Sequence, residues 1–383
     1  LYKISNRFYE RVSEDLLEQF NLFCLKEKDW LDNYSIFCAL RKANDRKSWN
    51  CWEADNKAQI QDIQNEKILQ FLFHYQWDKL KKYCNGKGVS IIGDMPIYVS
   101  YDSADVWAEP KLFQLDSQGK KIAEAGCPPC NFHSEGQVWG NPLYDWQAHL
   151  NTNFDWWVNR FKKLYKMVDV IRVDHFIGFS KYWKLAANSK TAQEGYWEDV
   201  PGEYLFDEVF KKIKNPQIIA EDLGDITDEV IHLRDKYCLP GMRIMQFEFE
   251  DKYDVLESFK YNSVTYTGTH DNNTSVGWFN SLDSSQMKYV IDNINSTEVL
   301  PHLRFIDNAL QSGSQRTIIP VQDLLGLDEK SRFNKPGTLS KSNWSWRLKE
   351  NQITKDVKLK IRKLTEKNNR LTQLSPESRE VKI

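Results

Sequence analysis

Three carboxylates in this sequence stand at the ends of short apolar runs: Asp174 in IRVDHF, Glu221 in IIAEDLG and Asp271 in GTHDNN. A single strand-end Asp or Glu usually caps the turn or helix that follows, and Asp94 and Asp323 are read that way. The trio differs in its neighbours. Arg172 lies two residues before Asp174, so in a strand both side chains share a face, and a guanidinium there favours the charged carboxylate. His175 and His270 add donors beside two of the three.

Carboxylates gathered this way serve two chemistries. Several can ligate a divalent metal with a nearby base, or a pair can break a glycosidic bond, one attacking and one donating a proton. Arg172 argues against a metal at Asp174, because a cation beside a ligand competes with the ion. The aromatic segments around 100–153 suit a sugar, whose apolar faces pack on rings while its hydroxyls need polar partners. Texture alone favours carbohydrate chemistry.

The elements that must position these groups are legible as alternation. Six strand candidates occur, at 89–94, 168–174, 218–221, 242–249, 264–271 and 317–323, with helical patterns between several, such as 155–167 and 227–237. That order predicts an α/β fold with a parallel sheet buried on both faces. No G-x-G-x-x-G follows a strand, so a (β/α)8 TIM barrel, whose active site lies at the strand C-termini, is preferred over a doubly wound sheet. Residues 1–88 are read as an inserted helical subdomain, with a third helix from about residue 57 to 83 and a stop at NGKG. Residues 89–348 form the catalytic barrel with a long substrate loop at 100–153, and 349–383 a terminal helix and tail.

The 383 residues are 41% hydrophobic and 13% aromatic, enough for a large core. A net charge of −2 gives no field for nucleic acid or an anionic membrane, and no apolar run is long enough to span a bilayer. The odd count of seven cysteines fits reduced, intracellular protein, so a cytoplasmic location is expected. The GCPPC stretch lacks a second ligand pair for zinc and a helix start for redox chemistry, and is read as two loop cysteines.

The stretches IIGDMPIYVSYDSADVWAEP, GQVWGNPLYDW, VIRVDHFIGF, AEDLGDIT, YTGTHDNNT and NWSWRL, collinear from about Trp30 to Arg347, resemble the amylomaltase or 4-α-glucanotransferase family, glycoside hydrolase family 77. The resemblance implies a (β/α)8 barrel with inserted subdomains and no metal or organic cofactor. It also implies maltooligosaccharides or α-1,4-glucan as donor and acceptor. By residue, it makes Asp174 the nucleophile, Glu221 the general acid/base and Asp271 the transition-state stabiliser. Arg172, His175, His270 and Asp94 would line the sugar subsite at the cleavage point, Gln137 and Trp139 would meet the acceptor, and Asn343 would contact substrate. Glu221 starts protonated, since two neighbouring carboxylates favour its neutral form, and later acts as base in a double displacement with net retention. An α-glucan hydrolase with the same trio and a turnover-deficient glucan-binding protein are the rival readings.

This chain departs from the family pattern at Cys130, where Asp is usual, at Asn273, again in place of Asp, and at Ile177, in place of Arg. None touches the trio, so these changes bear on substrate fit or loop order. A barrel needs eight strands and six are visible. In the resembling family two further strand–helix units precede the region matching Trp30, so the chain is read as amino-terminally truncated. Alone, it is expected to expose unpaired edges at the 89–99 and 317–323 strands, to aggregate and to be nearly inactive.

Overall fold

The computed structural model describes residues 2–129, 134–224, 226–250 and 262–371. Two compact units divide the chain, Leu1–Gln217 and Ile218–Ile383.

The first unit begins with helices, among them Glu14–Lys26, Lys28–Ala43 and Ile60–Gly86. The last of these matches the expected third helix to within a turn. Phe8, Phe20, Ile68 and Phe71 form the core of this region, with their rings edge to face. The helices are not a free-standing module. Trp77 Nε1 donates to the Met167 carbonyl at 2.7 Å and Lys81 Nζ to that of Val168 at 2.9 Å, which ties Ile60–Gly86 to the chain entering a strand. The helical region 1–88 and the strands that follow it up to residue 217 lie in one compact unit.

A second tie is electrostatic. Glu27, between two helices, accepts from Lys163 and Lys166 at 2.6 Å each and from the Trp30 indole at 2.7 Å. Burial alone would raise its carboxyl; the two ammonium groups and the indole overcome that and bring it down to about 2. A depressed acid contributes stability that is full above its unfolded value of 4.5 and is lost as pH falls through about 2. Glu27→Gln should cost about 1–2 kcal/mol at neutral pH after allowing for solvent screening. Urea unfolding at pH 7 and at pH 2 checks this: the gap between wild type and variant should close at the lower pH.

Strands β1 (Ile92–Met95), β2 (Ala123–Cys127), β3 (Gln137–Pro142), β4 (Val170–Val173), β5 (Lys181–Ala186) and β6 (Tyr196–Asp199) belong to this unit. β1 and β4 pair in parallel, with Asp94 opposite Arg172. The others form an antiparallel sheet in the order β3-β2-β5-β6. The segment 100–153 is thus not an irregular loop. Two of its stretches are strands, and Trp146–Asn151 is helical. Its aromatic density reflects packing: buried Tyr144 and Trp146 contact each other, His149 and, just beyond the segment, Trp157, while His149 stacks on buried Phe154.

The second unit carries β7 (Ile218–Ala220), β8 (Gly241–Ile244), β9 (Ser263–Tyr266) and β10 (Arg316–Ile318), each parallel to the next. Asp228–Lys236 links β7 to β8, and three helices, Ser275–Ser281, Ser284–Asn293 and Pro301–Gln311, link β9 to β10. With the first unit's parallel pair, the expected six segments all supply parallel strands among the described residues, although several are shorter than expected. The expected strand 242–249 stops at Ile244 and continues as helix Met245–Glu250. Met245, Phe247 and Phe249 alternate like a strand, but Met245 and Phe249 are buried in one core with Trp278 and Phe305 while Phe247 is 37% exposed. That is an i, i+4 pattern. In 317–323 the strand ends before Pro320, and Asp323 lies on the short helix Val321–Leu324. The expected terminal helix is Lys355–Lys367.

Candidate active site

In the first unit six of the expected site residues come together. Because Asp94 and Arg172 are register partners, one guanidinium nitrogen reaches both Asp94 Oδ1 at 2.7 Å and Asp174 Oδ1 at 2.8 Å. Arg172 is only 12% exposed, whereas the two carboxylates are 47% and 41% exposed. A sheltered cation thus holds two acids that remain open to a ligand. Asp174 is fixed from behind as its N–H donates to the Met95 carbonyl at 3.0 Å. Asp94 is therefore a pairing partner of Arg172 as well as a strand-end residue.

His175 takes a left-handed backbone, φ 49°, which turns the chain sharply after the strand. Burial holds its imidazole down to about 4, so the ring is neutral at physiological pH. The edge of its ring meets Trp139 at 4.9 Å between centroids, and the Trp139 indole donates to Gln137 Oε1 at 3.0 Å. Gly178 packs closely beside it: a Cβ there would stand 2.5 Å from the Ile97 Cδ1 methyl and 3.1 Å from the imidazole, so both would have to shift. Ile177 is buried in the same turn between Phe176 and Phe179. This position is an apolar packing site here.

In the second unit Glu221 follows β7 directly. Its neighbour Asp222 is the anchor: it is buried, accepts from Arg234 at 2.6 Å and receives the Met242 N–H at 2.7 Å. Gly241 leaves the room for this, since a Cβ would collide with the Asp222 carboxylate. Asp222 therefore fixes the end of β7 against β8 while Glu221, partly exposed, presents its side chain beside it.

Asp271 sits on a turn after β9. Thr269 and Asn272 close that turn, with Thr269 Oγ1 donating to Asn272 Oδ1 at 2.7 Å. Asp323 braces it from below, accepting from Thr267 at 2.6 Å and from the Ser275 N–H and hydroxyl at 2.7 Å each. His270 Nε2 lies 3.4 Å from Asp271 Oδ2. Asn273 receives the Thr274 N–H on its side chain and the Gln246 amide on its carbonyl, so it too is part of the turn.

Asn343 is committed to its own loop: its amide donates to the Thr338 carbonyl at 3.0 Å and its oxygen receives the Lys335 N–H at 3.3 Å. The next residue, Trp344, is the one against the site. It is 53% exposed, and its ring lies 5.3 Å from His270. Sequence reasoning missed Trp344 although the NWSWRL motif contains it. It also missed Arg332 and Asn334, which both hydrogen bond to Asp271. Neither of the latter has a sequence signal, because they lie some sixty residues from their partner. Cys130 lies outside the described residues, and Cys127 is on β2.

Parallel strands alternating with helices, with the expected acids at or just after their C-terminal ends, place the chain in the α/β barrel class. The model of the family described as 4-alpha-glucanotransferase matches residues 1–354. The chain is 40% identical to the 4-alpha-glucanotransferase of Streptococcus pneumoniae, covering 95% of this chain and 75% of that protein. It is equally identical to the enzyme of Clostridium butyricum, covering 95% and 78%. The amylomaltase of Streptococcus agalactiae in complex with acarbose superposes with a TM-score of 0.88 at 35% identity, over 94% of this chain and 76% of that one. The amylomaltase of Corynebacterium glutamicum, at 17% identity and a TM-score of 0.78, shares the fold. The chain belongs to the 4-alpha-glucanotransferase family, glycoside hydrolase family 77, whose members are transglycosylating enzymes.

Proposed function

We propose that the chain moves α-1,4-glucan segments between maltooligosaccharides by retaining double displacement, with Asp174, Glu221 and Asp271 as the reacting carboxyl groups. The observation that carries this is the bridge from Arg172 to Asp94 and Asp174, which fixes an exposed carboxylate beside a sheltered cation. Asp174 attacks the anomeric carbon while Glu221 protonates the leaving oxygen. Asp271 offsets the positive charge that develops on the ring. In the second half a sugar 4-hydroxyl gives its proton to Glu221 and displaces Asp174, restoring the original configuration.

Transfer needs an acceptor that outcompetes water. Trp139, with Gln137 at its edge, is a platform for an acceptor sugar, and Trp344 one beside His270; a stacked ring raises the local hydroxyl concentration and excludes solvent. In this reading Trp344 takes the substrate-contact role expected of Asn343. The location proposed is the cytoplasm, consistent with free thiols at Cys24, Cys38, Cys51, Cys84 and Cys238. Independently, no described helix is long and apolar enough to cross a membrane.

Product analysis tests the function, using the natural polypeptide that carries this sequence. Maltotriose should yield glucose and a ladder of longer oligomers with α-linkages. Glucose and maltose alone would make the protein a hydrolase, and no products at all would leave a binding protein.

A further inference from the structure

We propose that Asn334 is a positioning residue for Asp271, aiming that carboxylate at the reacting sugar while Arg332 fastens its backbone. The inference rests on the role proposed for Asp271 above. The stretch 332–334 grips Asp271 through both side chain and backbone. Asn334 Nδ2 donates to Asp271 Oδ1 at 2.6 Å, and the Asn334 N–H donates to the His270 carbonyl at 3.1 Å. Arg332 Nη2 donates to the Asp271 carbonyl at 2.5 Å and Arg332 Nε to the Asn334 carbonyl at 2.8 Å. Two neighbouring residues of the turn are thereby fastened to a segment that closes on itself.

The residue types fit the task. A stabiliser of positive charge must stay anionic, and an amide N–H favours the charged form without adding a cation to oppose the sugar. Arg332 spends two of its donors on backbone carbonyls, so its charge is directed at the peptide rather than at the carboxylate. Burial lowers this guanidinium from its ordinary value, with the Asp271 charge acting the other way, and it remains cationic at any working pH. The charged or titratable groups beside Asp271 in its own unit are His270 on its own turn and Arg332 on the opposing segment. Asn334 is the neutral donor among them.

Asn334→Asp is the informative variant, because it replaces a donor by a second carboxylate at hydrogen-bond distance. Two such groups share a proton rather than both ionise. The acid limb of kcat/KM for maltotriose should move up by about one pH unit or more, with KM on the alkaline side little changed. Asn334→Ala should lower kcat about tenfold or more with KM little changed. A residue that merely held the loop together would alter melting temperature or KM and leave the pH profile in place. An Asn334→Asp profile that superimposes on the wild type overturns the proposal. If that variant does not fold, Asn334→Ala at wild-type kcat overturns it instead. Asp271→Asn is the control: were it fully active, the assignment of Asp271 itself would fail. An inactive Asp271→Asn beside indifferent Asn334 variants would remove only this inference.

Discussion

Asp174→Asn should reduce glucan transfer by about 10⁴-fold or more while leaving binding of maltooligosaccharide nearly intact. The amide keeps the size and planarity of the carboxylate, so the sugar still fits. It can neither attack the anomeric carbon nor form the charged pair with Arg172, whose nitrogen now stands 2.8 Å from the carboxylate. Asp94, 2.7 Å from the same nitrogen, stays as its counter-ion, which is why the fold should tolerate the change. Calorimetric titration with maltotetraose beside a transfer assay separates the two effects. A variant that binds weakly in proportion to its lost turnover would make Asp174 a binding residue, and another group would have to be the nucleophile.

Glu221→Gln should show a loss that depends on the leaving group. With maltooligosaccharide the leaving alkoxide needs a proton, and removal of the acid should cost about 10³-fold. With an α-glucosyl fluoride the first displacement needs no protonation, so formation of the glycosyl-enzyme should be far less affected. Its breakdown by a sugar acceptor still needs a base and should become the slow step. Small anions such as azide, which attack without one, should then rescue turnover and give a glycosyl azide. Equal losses on both donors, with no azide product, would remove Glu221 from the acid/base role. Asp222 is expected to behave differently. It holds Arg234 and the Met242 N–H in a buried setting, so its replacement should lower stability and not discriminate between donors.

What the sequence disclosed and what it hid follow from the range of the interactions. The strand ends were legible because a β-branched run that stops on a charged residue is a local event. Arg172 and Asp174 were legible as a pair because strand geometry places i and i+2 on one face. The bridge to Asp94 needed the register of β1 against β4, which no local pattern supplies. Met245, Phe247 and Phe249 fit either period, and only the core that receives Met245 and Phe249 decides for the helix. The strands of segment 100–153 were hidden in part for the same reason: β2 pairs with β3 within the segment but also with β5, which lies beyond β4 in the chain. Asn334 and Arg332 were invisible because their meaning lies wholly in a turn sixty residues earlier. Within NWSWRL only the loop conformation, with Trp344 at φ 60°, brings the Trp344 ring against His270.

The proposed double displacement requires a covalent glycosyl-enzyme on Asp174. The direct measurement uses 5-fluoro-α-glucosyl fluoride, which loads a retaining enzyme readily and leaves it slowly, followed by intact mass and peptide mapping of the natural polypeptide containing this sequence. The account predicts one added fluorohexosyl group on the peptide that contains Asp174, its absence in Asp174→Asn, and its discharge when maltose is supplied. A label on any other carboxylate, or unlabelled enzyme that nonetheless turns over the fluoride, would contradict it.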